Sequence, residues 1–238
     1  VGVRTPYGVP LNSIDSDIIP GGSSSGSALS VAHGIASFSL GTDTAGSGRV
    51  PAALNNIVGL KPTRGTISSS GVVPACRTLD TVSIFAMTVS DAYKVFSTAA
   101  EYDRNDSFSK LFYTPNLVKP ARSLKIGIPS SESIRFEGDE QQKHNFYDSI
   151  NRFEASGAKI FEINFQPLFD IAHMLYFGPW VAERYVATEH VMDKNPEALF
   201  PVTRKIIATA KNLSAADTFK GFYKLKDLIR EIRPTIDS

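Results

Sequence analysis

The sequence is poor in the features that mark several large protein classes. It has one cysteine, Cys76, so no disulfide can form within the chain and the fold does not depend on an oxidising compartment. Its 25 Lys and Arg residues balance its 24 Asp and Glu residues, and the net charge of +1 gives no general attraction to nucleic acid or to an anionic membrane. The four histidines are scattered and form no metal-ligand spacing with Cys76. We therefore expect no metal, no cofactor and no nucleic-acid partner, and we interpret Cys76 as a structural thiol.

Long apolar runs are also missing. The longest uncharged stretch, residues 18–42, is interrupted by Pro20 and has only 10 strongly apolar residues in 25, too few for a membrane helix. The first residues show no basic segment followed by an apolar run, so they predict no signal peptide. We expect a cytoplasmic protein without a membrane partner. Because the chain begins at Val1 and neither end resembles a natural boundary, we expect an internal piece of a longer protein.

What the sequence does have is an uneven distribution of glycine and charge. Residues 1–71 contain 12 of the 17 glycines but only 7 of the 49 charged residues. Such a segment is either flexible filler or a site built from the backbone. The chain is long enough for one large domain or two small ones, and the absence of a low-complexity linker favours one.

Apolar periodicity predicts an α/β protein. Ser90 is the expected N-cap of the third helix, and Ser214 with Asp217 predicts a capping box at the last one. The helix and strand over 138–165 form a unit typical of α/β folds. The predicted helices are 27–38, 51–56, 91–101, 138–156, 167–177, 179–193, 199–211 and 214–232, and the predicted strands are 39–42, 57–60, 124–128 and 158–165.

Two Gly/Ser loops, residues 21–28 and 41–49, are the candidate site. Neither contains the Gly-Lys-Ser/Thr of a phosphate-binding loop, and no G-x-G-x-x-G opens a helix. Residues 22–26 satisfy G-x-S-x-G, so one alternative is a nucleophile elbow with Ser24 as nucleophile; another is an exposed loop without chemistry. If the loops meet, Ser23 and Ser47 come together, and one hydroxyl can relay the proton of the other to a base. The backbone before Ser47 can then donate N–H groups to an oxyanion.

At these residues the sequence resembles the amidase signature family. The resemblance covers GGSSSGSA at 21–28, GTDTAGSGRVPA at 41–52 and GLKPTRG at 59–65. It implies an α/β fold with a mixed β-sheet core covered by helices, and a Ser–cis-Ser–Lys triad. By motif position, the nucleophile is Ser47, the bridging serine is Ser23 after a cis peptide from Gly22, the oxyanion-hole backbone is Thr44, Ala45 and Gly46, and the structural supports are Gly22, Asp43 and Arg49.

The chain departs from the family pattern in one respect. The family's catalytic lysine lies much further upstream of the bridging serine than the 22 residues that precede Ser23 here. Lys61 belongs to the GLKPT strand motif and is not assigned as the base. The resemblance thus implies that residues 1–238 are one partial amidase domain, without the portion that carries the lysine and without a C-terminal portion. We expect this polypeptide alone to be nearly inactive, because a missing general base costs about 10²–10⁴ in rate.

A second segment resembles allophanate hydrolases, the group that includes the amidase part of urea amidolyase. YFGPWVAERY at 176–185 and GVVPACRTLD at 71–80 carry this resemblance, which implies that Tyr176 and Arg184 hold the substrate. A guanidinium fork suits the carboxylate of allophanate, and Gly178-Pro179 must bend the chain if both residues touch so small a ligand. The alternative is that Trp180, Val181 and Tyr185 belong to the core and that Arg184 lies on a solvated or salt-bridged face.

The resemblance implies hydrolysis of the terminal amide of allophanate (urea-1-carboxylate), with release of ammonia, in urea degradation. It also implies a homodimer and leaves open fusion to, or association with, urea carboxylase. The runner-up functions are another amidase or an amidotransferase A subunit, which lack the 176–184 segment. A non-enzyme alternative is an inactive amidase-like scaffold. The charges from Lys220 to Arg233 indicate a solvated face or a subunit surface.

Overall fold

The computed structural model describes residues 2–5, 7–113 and 124–237. The chain divides into two compact units, residues 1–117 and residues 118–238. A compact unit is not necessarily a separate domain, so the expectation of one partial domain stays a prediction. Across the described residues, no helix combines the length and the apolar character that crossing a membrane requires.

The described residues of unit 1 form a three-stranded antiparallel sheet with three helices. Its elements are α1 (Ser25–Ala32), β1 (Phe38–Thr42), α2 (Val50–Leu54), β2 (Val58–Leu60), β3 (Val82–Ala86) and α3 (Val89–Ala99). The strand order is β1-β3-β2, with Thr42 opposite Val82 and Leu60 opposite Ile84. The central strand β3 was not predicted, because four of its five residues are buried and it shows no alternation of exposed and buried positions.

Successive side chains of β3 point to opposite faces of the sheet, and each face has its own core. Phe85 packs with buried residues of α1 and α2, among them Val31 and Ala52. Ile84 and Ala86 pack instead against residues of α3. Ser83 lies on the Phe85 side, so this face also supports the second Gly/Ser loop.

Several predicted helix boundaries in unit 1 differ from the structure, and two of the differences have a clear physical reason. Thr88, not Ser90, caps α3: its backbone is extended and its hydroxyl accepts a hydrogen bond from the Asp91 N–H. The first helix ends at Ala32 rather than at Phe38. Gly34, with a φ of 70°, reverses the chain there, and Phe38 begins β1 instead.

Over residues 124–237, unit 2 contains a parallel strand pair and five helices. β4 (Lys125–Pro129) and β5 (Lys159–Ile163) flank α4 (Glu140–Ala155), which confirms the predicted helix–strand unit. The remaining helices are α5 (Gln166–Phe177), α6 (Trp180–Lys194), α7 (Pro201–Ala208) and α8 (Ala215–Ile236), with short 3-10 turns at Pro196–Ala198 and Thr209–Asn212. The predicted capping box is confirmed: the Ser214 hydroxyl accepts from the Asp217 N–H, and the Asp217 carboxylate accepts from the Ser214 N–H.

Candidate active site

The first Gly/Ser loop leads directly into α1. Its Gly22–Ser23 peptide is cis, in agreement with the expectation, and the Ser23 side chain is exposed at the surface of unit 1. Residues 7–24 form no strand, so the strand–turn–helix of a nucleophile elbow is absent and the Ser24 alternative is wrong. The Ser24 hydroxyl instead bonds the backbone of Thr42, donating to its carbonyl and accepting from its N–H at 3.2 Å each. Ser24 therefore fastens the first loop to the start of the second.

The second loop is organised around the carboxylate of Asp43, which is fully buried. It accepts hydrogen bonds from the N–H groups of Gly46 and Gly48, at 2.8 and 3.1 Å. The Arg49 guanidinium adds two more, from Nε to Oδ2 at 2.8 Å and from Nη2 to Oδ1 at 3.0 Å. Ser47 thus lies between two residues whose backbone is fixed by one carboxylate.

Electrostatics keep this carboxylate ionised. Burial alone raises the pKa of Asp43, but the hydrogen bonds from Arg49 and the Gly46 N–H, with the charges of Lys61 and Arg49, lower that pKa to about 2. In turn, the hydrogen bond to Asp43 raises the pKa of Arg49. Asp43 is therefore charged throughout the neutral range and anchors the loop as a fixed anion.

Lys61 belongs to this anchor. Its Nζ lies 3.6 Å from Asp43 Oδ1, and its side chain is only about a quarter exposed. An ammonium group held at a buried carboxylate neutralises that charge. The contact agrees with leaving Lys61 out of the catalytic assignment.

The predicted oxyanion-hole residues are not equivalent. The Gly46 N–H is engaged with Asp43, so Gly46 fixes the loop, whereas Thr44 and Ala45 are the two residues that precede it in the chain. The Thr44 hydroxyl donates to Asp80, a residue that the sequence analysis did not single out. Asp80 is only 8% exposed and ends the 71–80 segment that carries the second resemblance, which is the signal that could have identified it. Cys76, in the same segment, is buried, as expected for a structural thiol.

Close approach of the loop to the sheet depends on glycine. A Cβ on Gly48 would lie 2.5 Å from the Cβ of Ser83, and one on Gly59 would lie 2.5 Å from the Gly48 carbonyl oxygen. Both distances are shorter than side chains tolerate, so only glycine lets the Ser47 loop lie directly on the sheet. This explains the density of glycine in a segment that is poor in charge.

In unit 2, the structure brings Tyr176 and Arg184 together. Tyr176 is in the last turn of α5 and Arg184 is in α6; the guanidinium carbon lies 4.9 Å from the centre of the Tyr176 ring. α5 ends at Gly178, whose backbone is extended, and α6 begins after Pro179, which confirms the expected bend. Trp180 is buried, whereas Arg184 is only half-buried, so this helix both contributes to the core and presents a cation.

The bend at Pro179 fits against a glycine of α8. A Cβ on Gly221 would lie 2.2 Å from Cγ of Pro179, and the rigid pyrrolidine ring cannot move aside. We expect Gly221→Ala to displace the bend, to separate Tyr176 from Arg184 and to cost about 1–3 kcal/mol of stability. If this pair binds allophanate, as the resemblance implies, the KM for allophanate should rise about tenfold or more. Steady-state kinetics on the protein expressed from its full reading frame measure this change. Lys226→Ala, an exposed position of α8, is the matched control, and an unchanged KM for Gly221→Ala would refute the packing argument.

Within the described ranges, no group of three or more His, Cys, Asp or Glu side chains is arranged to hold a metal ion.

The chain is similar to known proteins in both sequence and structure. The sequence profile described as Amidase matches residues 1–237. Urea amidolyase of Saccharomyces cerevisiae is 44% identical over 241 residues, which cover 100% of this chain and 13% of the yeast protein. The solved allophanate hydrolase of Kluyveromyces lactis superposes with a TM-score of 0.91 at 42% identity, covering 98% of this chain and 38% of that one. The A subunit of the Streptococcus thermophilus glutamyl-tRNA(Gln) amidotransferase is 38% identical over 167 residues, 68% of this chain and 34% of that protein. The chain thus spans a minor part of each relative's length.

Proposed function

The chain belongs to the amidase family, and on this premise we propose that it carries the nucleophile and the substrate-binding pair of an allophanate hydrolase. The observation that carries the proposal is the position of Ser47 on a loop that the buried Asp43 fixes and to which the Ser24 hydrogen bonds fasten the loop of Ser23. The similarity to the Kluyveromyces lactis allophanate hydrolase over nearly the whole chain supports the choice of substrate.

In the proposed reaction, the Ser47 oxygen attacks the terminal amide carbonyl of allophanate. Its proton passes through Ser23 to the lysine of the family triad, which is not assigned to any residue of this chain. The N–H groups of Thr44 and Ala45 stabilise the oxyanion of the tetrahedral intermediate. The C–N bond then breaks, the amide nitrogen takes up a proton and leaves as ammonia, and the acyl group stays on Ser47. Water hydrolyses this ester and releases N-carboxycarbamate, which loses CO₂.

Tyr176 and Arg184 supply recognition of the substrate carboxylate. A guanidinium binds a carboxylate through two parallel hydrogen bonds, which a lysine cannot reproduce. The ring of Tyr176 lies against the Arg184 guanidinium, which restricts its rotation and leaves edge N–H groups for the ligand. The pair therefore favours an anionic urea derivative over a neutral amide.

We expect Arg184→Met to lower kcat/KM for allophanate about 10²- to 10³-fold, mainly through KM, because the substrate carboxylate loses its bidentate partner. Ammonia release from allophanate, measured on the protein expressed from its full reading frame, tests this. Arg184→Lys should restore only part of the affinity. Arg152→Met, at an exposed arginine of α4, is the control. An unchanged kcat/KM in Arg184→Met would remove Arg184 from the substrate site.

The amidotransferase A subunit is the second candidate, since the streptococcal protein is 38% identical over 68% of the chain. Ammonia release from allophanate and from glutamine by the same preparation separates the two functions. Turnover of glutamine alone would favour the amidotransferase. Turnover of neither allophanate nor glutamine, together with no labelling of Ser47 by a serine-reactive probe, would favour an inactive scaffold. Homodimerisation, linkage to urea carboxylase and a cytoplasmic location complete the proposal.

A further inference from the structure

The first residues of the second Gly/Ser loop are hydrogen-bonded, one after another, to the residues that precede and begin β3. Thr42 pairs with Val82 in the sheet, and the Asp43 N–H donates to the carbonyl oxygen of Thr81 at 2.8 Å. The next residue, Thr44, continues this register through its side chain, because its hydroxyl donates to Asp80. The backbone ladder therefore ends at Asp43, and one side-chain bond extends the register to Thr44.

Asp80 is itself held rigidly. Its carboxylate accepts from the N–H of Ala75 at 2.9 Å and from the N–H of Cys76 at 2.9 and 3.1 Å. The N–H groups of Leu79 and Asp80 both donate hydrogen bonds to the Cys76 carbonyl oxygen, at 2.8 Å each, which closes a tight turn. A carboxylate fixed by a turn in this way holds the Thr44 hydroxyl in one place.

The side chain of Ala45 cannot hold its backbone in the way that the Thr44 hydroxyl does. Its methyl group offers no hydrogen bond, and the residue is exposed. The direction of its N–H depends on the peptide plane that Thr44 and Ala45 share, which moves with the backbone of Thr44. Oxyanion stabilisation requires such donors to be positioned before the reaction begins, and small displacements are costly.

We propose that Asp80 is a positioning residue, which orients the N–H groups of Thr44 and Ala45 toward the oxyanion through its hydrogen bond with the Thr44 hydroxyl. The proposal rests on the proposed function, since it presumes Ser47 as the nucleophile. Asp80 touches neither substrate nor reacting atoms and acts only through Thr44.

Thr44→Val tests the link, because valine keeps the branched shape and loses the hydroxyl. We expect kcat for allophanate to fall about 10- to 100-fold with KM within about threefold of the parent, since donors that serve mainly the transition state are misplaced. Thr44→Ser should retain most activity. In Asp80→Asn, the amide can donate to the Thr44 oxygen while its carbonyl accepts from Ala75 and Cys76, so this variant should also stay within about fivefold of the parent.

A substrate-independent readout separates this inference from the proposed function. A fluorophosphonate probe forms a bond from its phosphorus to the serine oxygen and expels fluoride, and its phosphoryl oxygen uses the same N–H donors. Its labelling rate at Ser47, measured at a temperature where both proteins are fully folded, should fall in Thr44→Val by about the factor seen in kcat. If the parent reacts with the probe and the Thr44→Val variant reacts equally fast, the role of Asp80 is overturned and the proposed function is unaffected. Equal losses in Thr44→Ser and Thr44→Val would overturn that role as well. A parent that neither reacts at Ser47 nor hydrolyses allophanate would overturn both proposals.

Discussion

Ser47→Ala should lower kcat for allophanate by about 10⁴-fold or more in the protein expressed from its full reading frame. Without the hydroxyl no acyl-enzyme can form. The residual rate is that of direct attack by water on the bound substrate, assisted only by binding and by the oxyanion hole. KM should change little, because Tyr176 and Arg184 are untouched. Ammonia release and the loss of fluorophosphonate labelling measure the two consequences independently.

The neighbouring serines provide matched controls for this result. Ser23→Ala should cost about 10²–10⁴ in kcat, since it removes the proton relay but leaves the nucleophile. Ser24→Ala should cost far less, because the Ser24 hydroxyl bonds the Thr42 backbone and loss of such a bond costs about 1 kcal/mol of stability. If Ser24→Ala abolished turnover while Ser47→Ala did not, the assignment of the nucleophile would be wrong.

The two loops could be predicted from the sequence because the residues that shape each loop are close to one another in the chain. The glycines, Asp43 and Arg49 that shape the Ser47 loop lie within a few residues of one another, so a motif records them together. The partners of that loop on the sheet are distant in sequence. Asp80 lies 36 residues from Thr44, and β3 has no alternation to identify it, so neither emerged before the structure.

The 176–185 segment also combines a feature that the sequence predicts with a packing contact that it does not predict. The bend at Gly178-Pro179 was expected from the resemblance, because Tyr176 and Arg184 can touch one small ligand only if the chain bends between them. The contact that supports the bend comes from Gly221, which a sequence pattern marks only as an unfavourable residue within α8. Packing between helices that are far apart in the chain is the part of the site that local propensity does not record.

Asp43→Ala should destabilise unit 1 by about 3–5 kcal/mol and abolish detectable turnover. The substitution removes a buried charge and leaves the Gly46 and Gly48 N–H groups without their acceptor, together with an unpaired Arg49. In the 238-residue chain, Cys76 reports this unfolding selectively, because it is the single cysteine of these residues, lies in unit 1 and is buried. Its reaction with dithiodipyridine, which proceeds in acid, can be followed across a urea titration.

Asp43→Asn adds a test of charge through pH. The folded pKa of Asp43 is lowered from 3.8 to about 2, so ionised Asp43 stabilises the folded state fully above the unfolded pKa, and this stabilisation is lost as the pH falls through about 2. A shift of this size corresponds to about 2 kcal/mol. The difference in unfolding free energy between parent and Asp43→Asn should therefore be constant from pH 7 to about 5 and shrink by about that amount between pH 4 and 2. Asp15→Asn, at an exposed carboxylate of the same unit, controls for general acid effects. A parent–variant difference that does not change with pH would mean that the hydrogen-bond geometry at Asp43, rather than its charge, holds the Ser47 loop.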